Sequence, residues 1–266
     1  MLKYLLILCS VLLVGCGAET ASVPEATSPG TIMAVFAHPD DETTVAPILS
    51  KYAAEGVTVH LVIATDGRYG VTDHAGIPAG DSLVEVRNGE LACSCRALGI
   101  EPPIHLSRRD MLGMEQGMDA FFGQLIGMED ALEAVIDSLH PEVIITFGPD
   151  GDSGHPDHRL TADVTTELFF SGKLKYRPEL YYFSYTPTQA TKYGDWNLNY
   201  ADEQFLNTRI SFSETDAERY YDAIRCHQSQ FTPQAMEDWI AAERADEDKR
   251  IFFRKVVVAE KEQVGF

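Results

Sequence analysis

The sequence is short of positive charge, of long apolar runs and of cysteine, and each shortage closes off a class of function. Its 266 residues carry 21 Lys and Arg against 41 Asp and Glu, a formal net charge of −20. Binding to nucleic acid relies on cations that displace counterions from phosphates, so a polynucleotide partner is excluded. Anionic headgroups are an equally poor match for such a surface. The uncharged run at the N-terminus, residues 4–14, falls well short of the ~20 residues a transmembrane helix requires. No internal repeat is visible, and beyond residue 30 no second linker, so the chain reads as one substantial domain. Five cysteines are too few for a disulfide framework. Cys93 and Cys95, spaced as they are on a predicted helix, point to two different faces, which speaks against a metal site there. With Cys226 they make an odd set. Three buried thiols is the simpler reading, and a single disulfide from Cys226 to Cys93 or Cys95 is the alternative in an oxidising compartment.

What is present begins with an address. Lys3 supplies a positive charge ahead of the apolar run, which suits the core of a secretory signal. The run ends in Leu13-Val14-Gly15-Cys16, which resembles a bacterial lipobox. That resemblance implies cleavage of residues 1–15 and acylation of Cys16, and so an exported protein held to a membrane by lipid, with its domain in the periplasm or outside the cell. Residues 16–30 then form the lipidated cysteine and a tether rich in Ser, Thr, Pro and Ala. The folded domain spans residues 31–266.

Within that domain strand-like and helix-like segments alternate. Short apolar or β-branched runs at 31–37, 57–64, 104–106, 143–147, 179–185 and 252–260 read as strands. Residues 45–55, 81–98, 118–139, 156–170 and 214–230 read as helices, with Gly99 as a C-terminal stop. Strands separated by helices predict an α/β fold, Rossmann-like, with a mostly parallel sheet and helices on both faces. Ligands in such sheets bind beyond the carboxyl ends of the strands, near the point where strand order reverses.

Two strands lead directly into clusters of ionisable residues. His38-Pro39-Asp40-Asp41-Glu42 follows the first, and His155-Pro156-Asp157-His158 follows the strand at 143–147. His38 with Asp41, and His155 with His158, are three positions apart, which on a turn entering a helix places both side chains on one side. Two imidazoles and a carboxylate with an open position is a donor set for catalytic zinc. Iron(II) suits two histidines and one carboxylate as well.

These residues resemble the PIG-L/LmbE-like deacetylase family, whose members include deacetylases of N-acetylglucosaminyl-phosphatidylinositol and of mycothiol and bacillithiol synthesis. Further matches are Thr65-Asp66-Gly67 after the second strand, the Arg-x-x-Glu helix of residues 87–99, and His227-Gln228-Ser229-Gln230. The resemblance implies removal of an acetyl or other acyl group from an N-acylated amino sugar or glycoconjugate, by water that zinc activates. His38, Asp41 and His158 would hold the zinc. Asp40 would be the general base, and His155 an imidazolium facing the oxyanion or leaving amine, kept charged by Asp157. Glu42 would be structural, its charge suited to a helix start. Arg87 is a candidate substrate contact or else a helix-surface partner of Glu90, and Asp66 and His227 either line the pocket or pack. His60, His74, His105 and His140 lack ligand spacing. Some relatives carry a mobile tyrosine where this chain has Ser153, so oxyanion stabilisation would fall to His155. Residues 68–80 and 185–207 match nothing in the family, and the aromatic residues of the second segment suit a packed flap or a sugar platform. The same residues also leave room for an amidase on a non-sugar amide, or a lipid-anchored binding protein without catalysis. Neither the natural substrate nor the oligomeric state is written in the sequence.

Overall fold

The computed structural model describes residues 28–193 and 196–258; the leader, Cys16 and most of the tether lie outside the described residues. Seven strands form one sheet: β1 (Thr31–Phe36), β2 (Thr58–Thr65), β3 (Ile104–Arg108), β4 (Val143–Phe147), β5 (Glu179–Phe183), β6 (Thr208–Ser211) and β7 (Arg250–Lys255). Their spatial order is β3-β2-β1-β4-β5-β7-β6. The pairs from β3 through β5 are parallel, and β7 runs antiparallel to both β5 and β6.

The two-residue period of β1 builds the layers. Ile32, Ala34 and Phe36 face one core, and Met33 and Val35 face the other. The first core takes Ile48 and Leu49 of α1 (Ala46–Ala54) and Leu91 and Cys95 of α2 (Asp81–Leu98). The second takes Met128, Leu132 and Ile136 of α3 (Met118–Leu139) and Val164 and Leu168 of α4 (Pro156–Ser171). The sheet is therefore covered on both faces, which is why both faces of β1 are apolar. A third cluster packs α6 (Glu214–Ile224) and α7 (Pro233–Ala245) against Ala46 and Leu98. The short α5 (Pro187–Lys192) is closed by a capping box from Thr186 and Gln189.

Helices α2 and α3 span the predicted residues, and Gly99 ends α2 with φ 74°. The differences lie elsewhere. Residues 41–44 form a separate 3-10 turn before α1. The helix predicted to run to residue 230 stops at Ile224, because residues 226–231 fold into tight turns, with the Gln228 N–H bonded to Cys226 O and the Gln230 N–H to His227 O. Strand β6 and helix α7 were absent from the sequence reading. β6 is four residues long with its face half exposed, too short for a two-residue period to register.

Cys93 and Cys226 are joined in a disulfide across 133 residues of sequence, while Cys95 is a buried free thiol. This corrects the simpler expectation of three free thiols: α2 and the turn after α6 lie side by side. The bond restricts a long loop in the unfolded chain. Replacing both Cys93 and Cys226 by serine should lower stability by about 2–4 kcal/mol, seen as a lower denaturant midpoint with a steeper slope, because the unlinked unfolded chain exposes more surface. An unchanged midpoint would show that the link contributes nothing to the fold.

Candidate metal centre and active site

β1 and β4 are neighbours in the sheet, yet the chain leaves β1 toward β2 on one side and β4 toward β5 on the other. Their carboxyl ends therefore release two loops at the same place, the switch in strand order. His38–Glu42 come from the first loop, and residues 148–158 from the second.

The first loop is a turn closed by its own side chains. Asp41 Oδ2 accepts hydrogen bonds from the Ala37 N–H (3.1 Å) and the His38 N–H (2.7 Å). Glu42 Oε2 accepts from the Asp40 N–H at 3.0 Å, and the Asp40 carbonyl accepts from the Thr43 N–H. Asp40 itself has φ 106°, a backbone conformation that a residue with a side chain takes only when its surroundings impose it.

In the second loop, His155 caps α4 by accepting the Asp157 N–H on Nδ1 at 3.2 Å. His158, in the first turn, stacks on Phe147 at 4.3 Å between ring centroids. Its Nδ1 lies 3.1 Å from Gly151 O. A carbonyl only accepts, so Nδ1 carries the proton and Nε2 is left with a lone pair. The His38 ring is oriented by the same logic. Its Nε2 lies 3.2 Å from Asp157 Oδ2, so Nε2–H donates to the carboxylate and Nδ1 faces inward.

Three donors converge as a result. His38 Nδ1 and His158 Nε2 are 3.2 Å apart, His158 Nε2 is 3.2 Å from Asp41 Oδ1, and His38 Nδ1 is 3.5 Å from Asp41 Oδ2. A tetrahedral ion with bonds of about 2.0–2.1 Å needs ligand atoms roughly 3.3 Å apart. The triangle matches that spacing, and both imidazoles present lone pairs to it, so the residues fit a metal ion. His38, His155 and His158 also form a close cluster suited to a metal, as do His38, Asp110 and Asp157.

The electrostatics of the site set burial against close opposite charges. Burial works against the His38 imidazolium, but Asp157 and Asp41 outweigh it and carry its pKa up to about 10. Burial likewise opposes the Asp41 carboxylate, yet His158 and His38 hold it well below the usual carboxylate range. For Asp40, burial dominates and pushes the carboxyl up to about 6 in spite of Arg87.

Several expected roles change. The Asp157 carboxylate bonds His38 and the Met111 N–H (2.8 Å), not His155, which receives only its backbone N–H. Burial and then His38 and His158 push His155 below the usual histidine pKa, which works against the expected imidazolium. Arg87 is buried and does not pair with Glu90. It donates to Gly67 O, Pro39 O and Asp40 Oδ2 (3.1 Å), and a Cβ on Gly67 would stand 2.6 Å from its Nη1. Glu90 instead accepts from Ser229. His227 is buried too, with Nε2 2.7 Å from Glu42 Oε1, so it packs behind the site and lines no pocket. Asp66 lies at the edge, held by Arg68 (2.8 Å) and the Asp110 N–H. Glu42 is fully buried, which a residue matched only to a helix dipole would not need.

Sequence reasoning missed Asp110. It is buried beside His38 and accepts the N–H groups of Gly67 (2.6 Å) and Tyr69 (2.8 Å). Its signal was an acidic residue just beyond the end of β3. The aromatic segment is packed only in part: Trp196 stacks on Phe231 and Tyr193 and meets Trp239 edge-on, while Tyr200 is exposed.

The chain is 38% identical over 149 residues to the 1D-myo-inositol 2-acetamido-2-deoxy-alpha-D-glucopyranoside deacetylase of Mycobacterium tuberculosis, a stretch that is 48% of this chain and 46% of that protein. The chain thus spans about half the length of the relatives it matches. Among solved structures, the N,N'-diacetylchitobiose deacetylase of Pyrococcus horikoshii superposes with a TM-score of 0.62 at 20% identity, covering 86% of this chain and 84% of that one. The 4-carboxy-2-hydroxymuconate hydratase GalB of Pseudomonas putida superposes with a TM-score of 0.61 at 17% identity, covering 88% and 99%. At such identities these two likenesses establish the fold and no more. The sequence profile described as GlcNAc-PI de-N-acetylase (PIG-L) matches residues 33–169, just over half of the chain and both histidine loops, and the chain belongs to that family.

Proposed function

We propose that this protein is a metal-dependent N-deacetylase that removes an acetyl or related acyl group from an N-acylated amino sugar or glycoconjugate. The observation that carries the reading is the triangle of His38 Nδ1, Asp41 and His158 Nε2 at metal-ligand spacing, with Asp40 next to Asp41 in the chain and its carboxylate held by Arg87. Family membership and the deacetylase named for the M. tuberculosis relative support the same choice of reaction. The two-imidazole, one-carboxylate donor set favours zinc, with iron(II) the alternative.

A cation held by these three residues supplies Lewis acidity, making water more acidic and polarising an amide carbonyl. The chain's own residues do the rest. Asp40, ionised above about pH 6, takes a proton from the attacking water. His155, with its Nδ1 engaged by the Asp157 N–H, offers Nε2–H to the carbonyl oxygen as it gains charge. The proton held on Asp40 is then available to the leaving amine. Asp157 and Gly151 O keep His38 and His158 in the tautomers that face the ion.

We also infer export and lipid anchoring through Cys16, which rests on Leu13-Val14-Gly15-Cys16 after an uncharged run. Among the described residues no helix is long and apolar enough to cross a membrane. An enzyme placed there would meet glycans or glycoconjugates outside the cytoplasm, not intermediates of thiol-cofactor synthesis.

Purified protein should release acetate from N-acetylglucosamine or short N-acetylated oligosaccharides with close to one metal ion per chain. Asp40→Asn should retain the metal and lower kcat about 10²–10⁴-fold. Full activity in that variant would remove Asp40 from the mechanism, and a chain without metal would remove the ligand assignment.

The base works ionised, so kcat/KM should fall with decreasing pH below an apparent pKa of about 6. A profile flat from pH 7 to pH 5 would contradict the assignment.

Metal binding should also release protons. In the metal-free protein His38 stays protonated up to about pH 10, whereas a ligand must be neutral. Calorimetric titration at pH 7 in buffers of different protonation enthalpy should report about one proton released per ion, with affinity rising as pH rises toward 10. Affinity independent of pH would show that His38 is not displaced from its imidazolium state.

A further inference from the structure

Behind Asp40, three segments distant in sequence meet on one carboxylate. Glu42 Oε1 accepts from Ser94 Oγ of α2 at 2.5 Å and lies 2.7 Å from His227 Nε2, in the turns after α6. Glu42 Oε2 accepts the Asp40 N–H at 3.0 Å. All of this is closed to solvent: Glu42 and Ser94 are fully buried and His227 is 1% exposed. His227 therefore has no path to a substrate, and its contact to the site passes through Glu42.

One of the same elements, α2, holds Asp40 from its other side and is tied to the His227 turns. Arg87 of α2 bonds the Asp40 carboxylate and the Pro39 carbonyl. The Cys93–Cys226 disulfide lies one residue from both Ser94 and His227. A second tie, the Ser229 N–H and Oγ on Glu90, binds the His227 turns to α2 again. Asp40 needs such support, because its φ of 106° is a conformation that relaxes unless something opposes it.

We propose that Glu42, clamped between Ser94 and His227, is the positioning residue that holds Asp40 in its strained backbone conformation and so aims its carboxylate at the metal triangle, with the Cys93–Cys226 link keeping both halves of the clamp in place. This rests on the deacetylase reading for its catalytic consequence. A base displaced by about an ångström loses on the order of a hundredfold in rate. The substrate contacts and the metal ligands are untouched, so the loss falls on kcat and spares KM.

The test uses the full chain with His227→Ala, His227→Gln and Glu42→Gln. His227→Ala removes the donor to Glu42 and should lower kcat about tenfold to a hundredfold, with KM and bound metal within about twofold of the native protein. His227→Gln places an amide N–H near the lost Nε2 and should recover most of that loss, which a general packing defect would not allow. Glu42→Gln keeps an oxygen for the Asp40 N–H but loses the charge, and should fall between the two. A readout independent of turnover is the Asp40 amide proton in 1H–15N spectra. It should resonate downfield in the native protein because it donates to a carboxylate, and move upfield in Glu42→Gln and His227→Ala. If the native chain releases no acetate while that resonance moves as stated, the function is wrong and the positioning stands. An Asp40 resonance that stays in place, or kcat lost only in proportion to metal or folded protein, would overturn the proposal.

Discussion

Two imidazole nitrogens lie 3.2 Å apart, each with its lone pair aimed at one point and a carboxylate closing the triangle. Lone pairs that close repel, and the carboxylate is stripped of water, so the arrangement is stable only around a cation or a proton. Much of the rest of the site follows from that constraint. The His38 imidazolium is the metal-free solution, and the Asp157 carboxylate and the Gly151 carbonyl are what prevent either ring from turning away.

The sheet makes the convergence possible. His38 and His158 are separated by 120 positions, and they meet because β1 and β4 pair in register from Ile32↔Val143 onward and end at the same edge. The buried stack of His158 on Phe147, itself packed edge-on to Phe36, carries the geometry of the core into the site. These side chains are thus mounted on the buried core of the sheet. The residues that complete the pocket come from loops, whose shape the core does not dictate.

The second layer of support works on the base. Asp40 sits between Arg87 on its carboxylate and Glu42 on its amide, and both supports trace back to α2. The His227 turns, the Arg68–Gly80 loop and α2 are joined by Thr72 on Ser229 O, His74 on Gln228 O and Gln230 on Gly70 O. One connected unit therefore packs around Asp40. The hydratase that shares this fold illustrates why such detail matters: the sheet alone does not choose the reaction.

The sequence by itself determined the α/β alternation, the ends of α2 and α3, and the two histidine loops, because apolar period, Gly99 and the density of ionisable groups are local signals. The spacing within each turn was also enough to pair His38 with Asp41 and His155 with His158 as candidate donors, while the choice among them came from the family resemblance. Tertiary structure decided the partners. Asp157 lies two residues from His155 yet turns its carboxylate to His38, Arg87 lies three from Glu90 yet reaches Asp40, and Cys226 finds Cys93 and leaves Cys95 free. A side chain offers one charge or one hydrogen-bonding edge. Which of several neighbours receives it depends on burial and direction in three dimensions, and those exist only once the sheet has brought distant loops together.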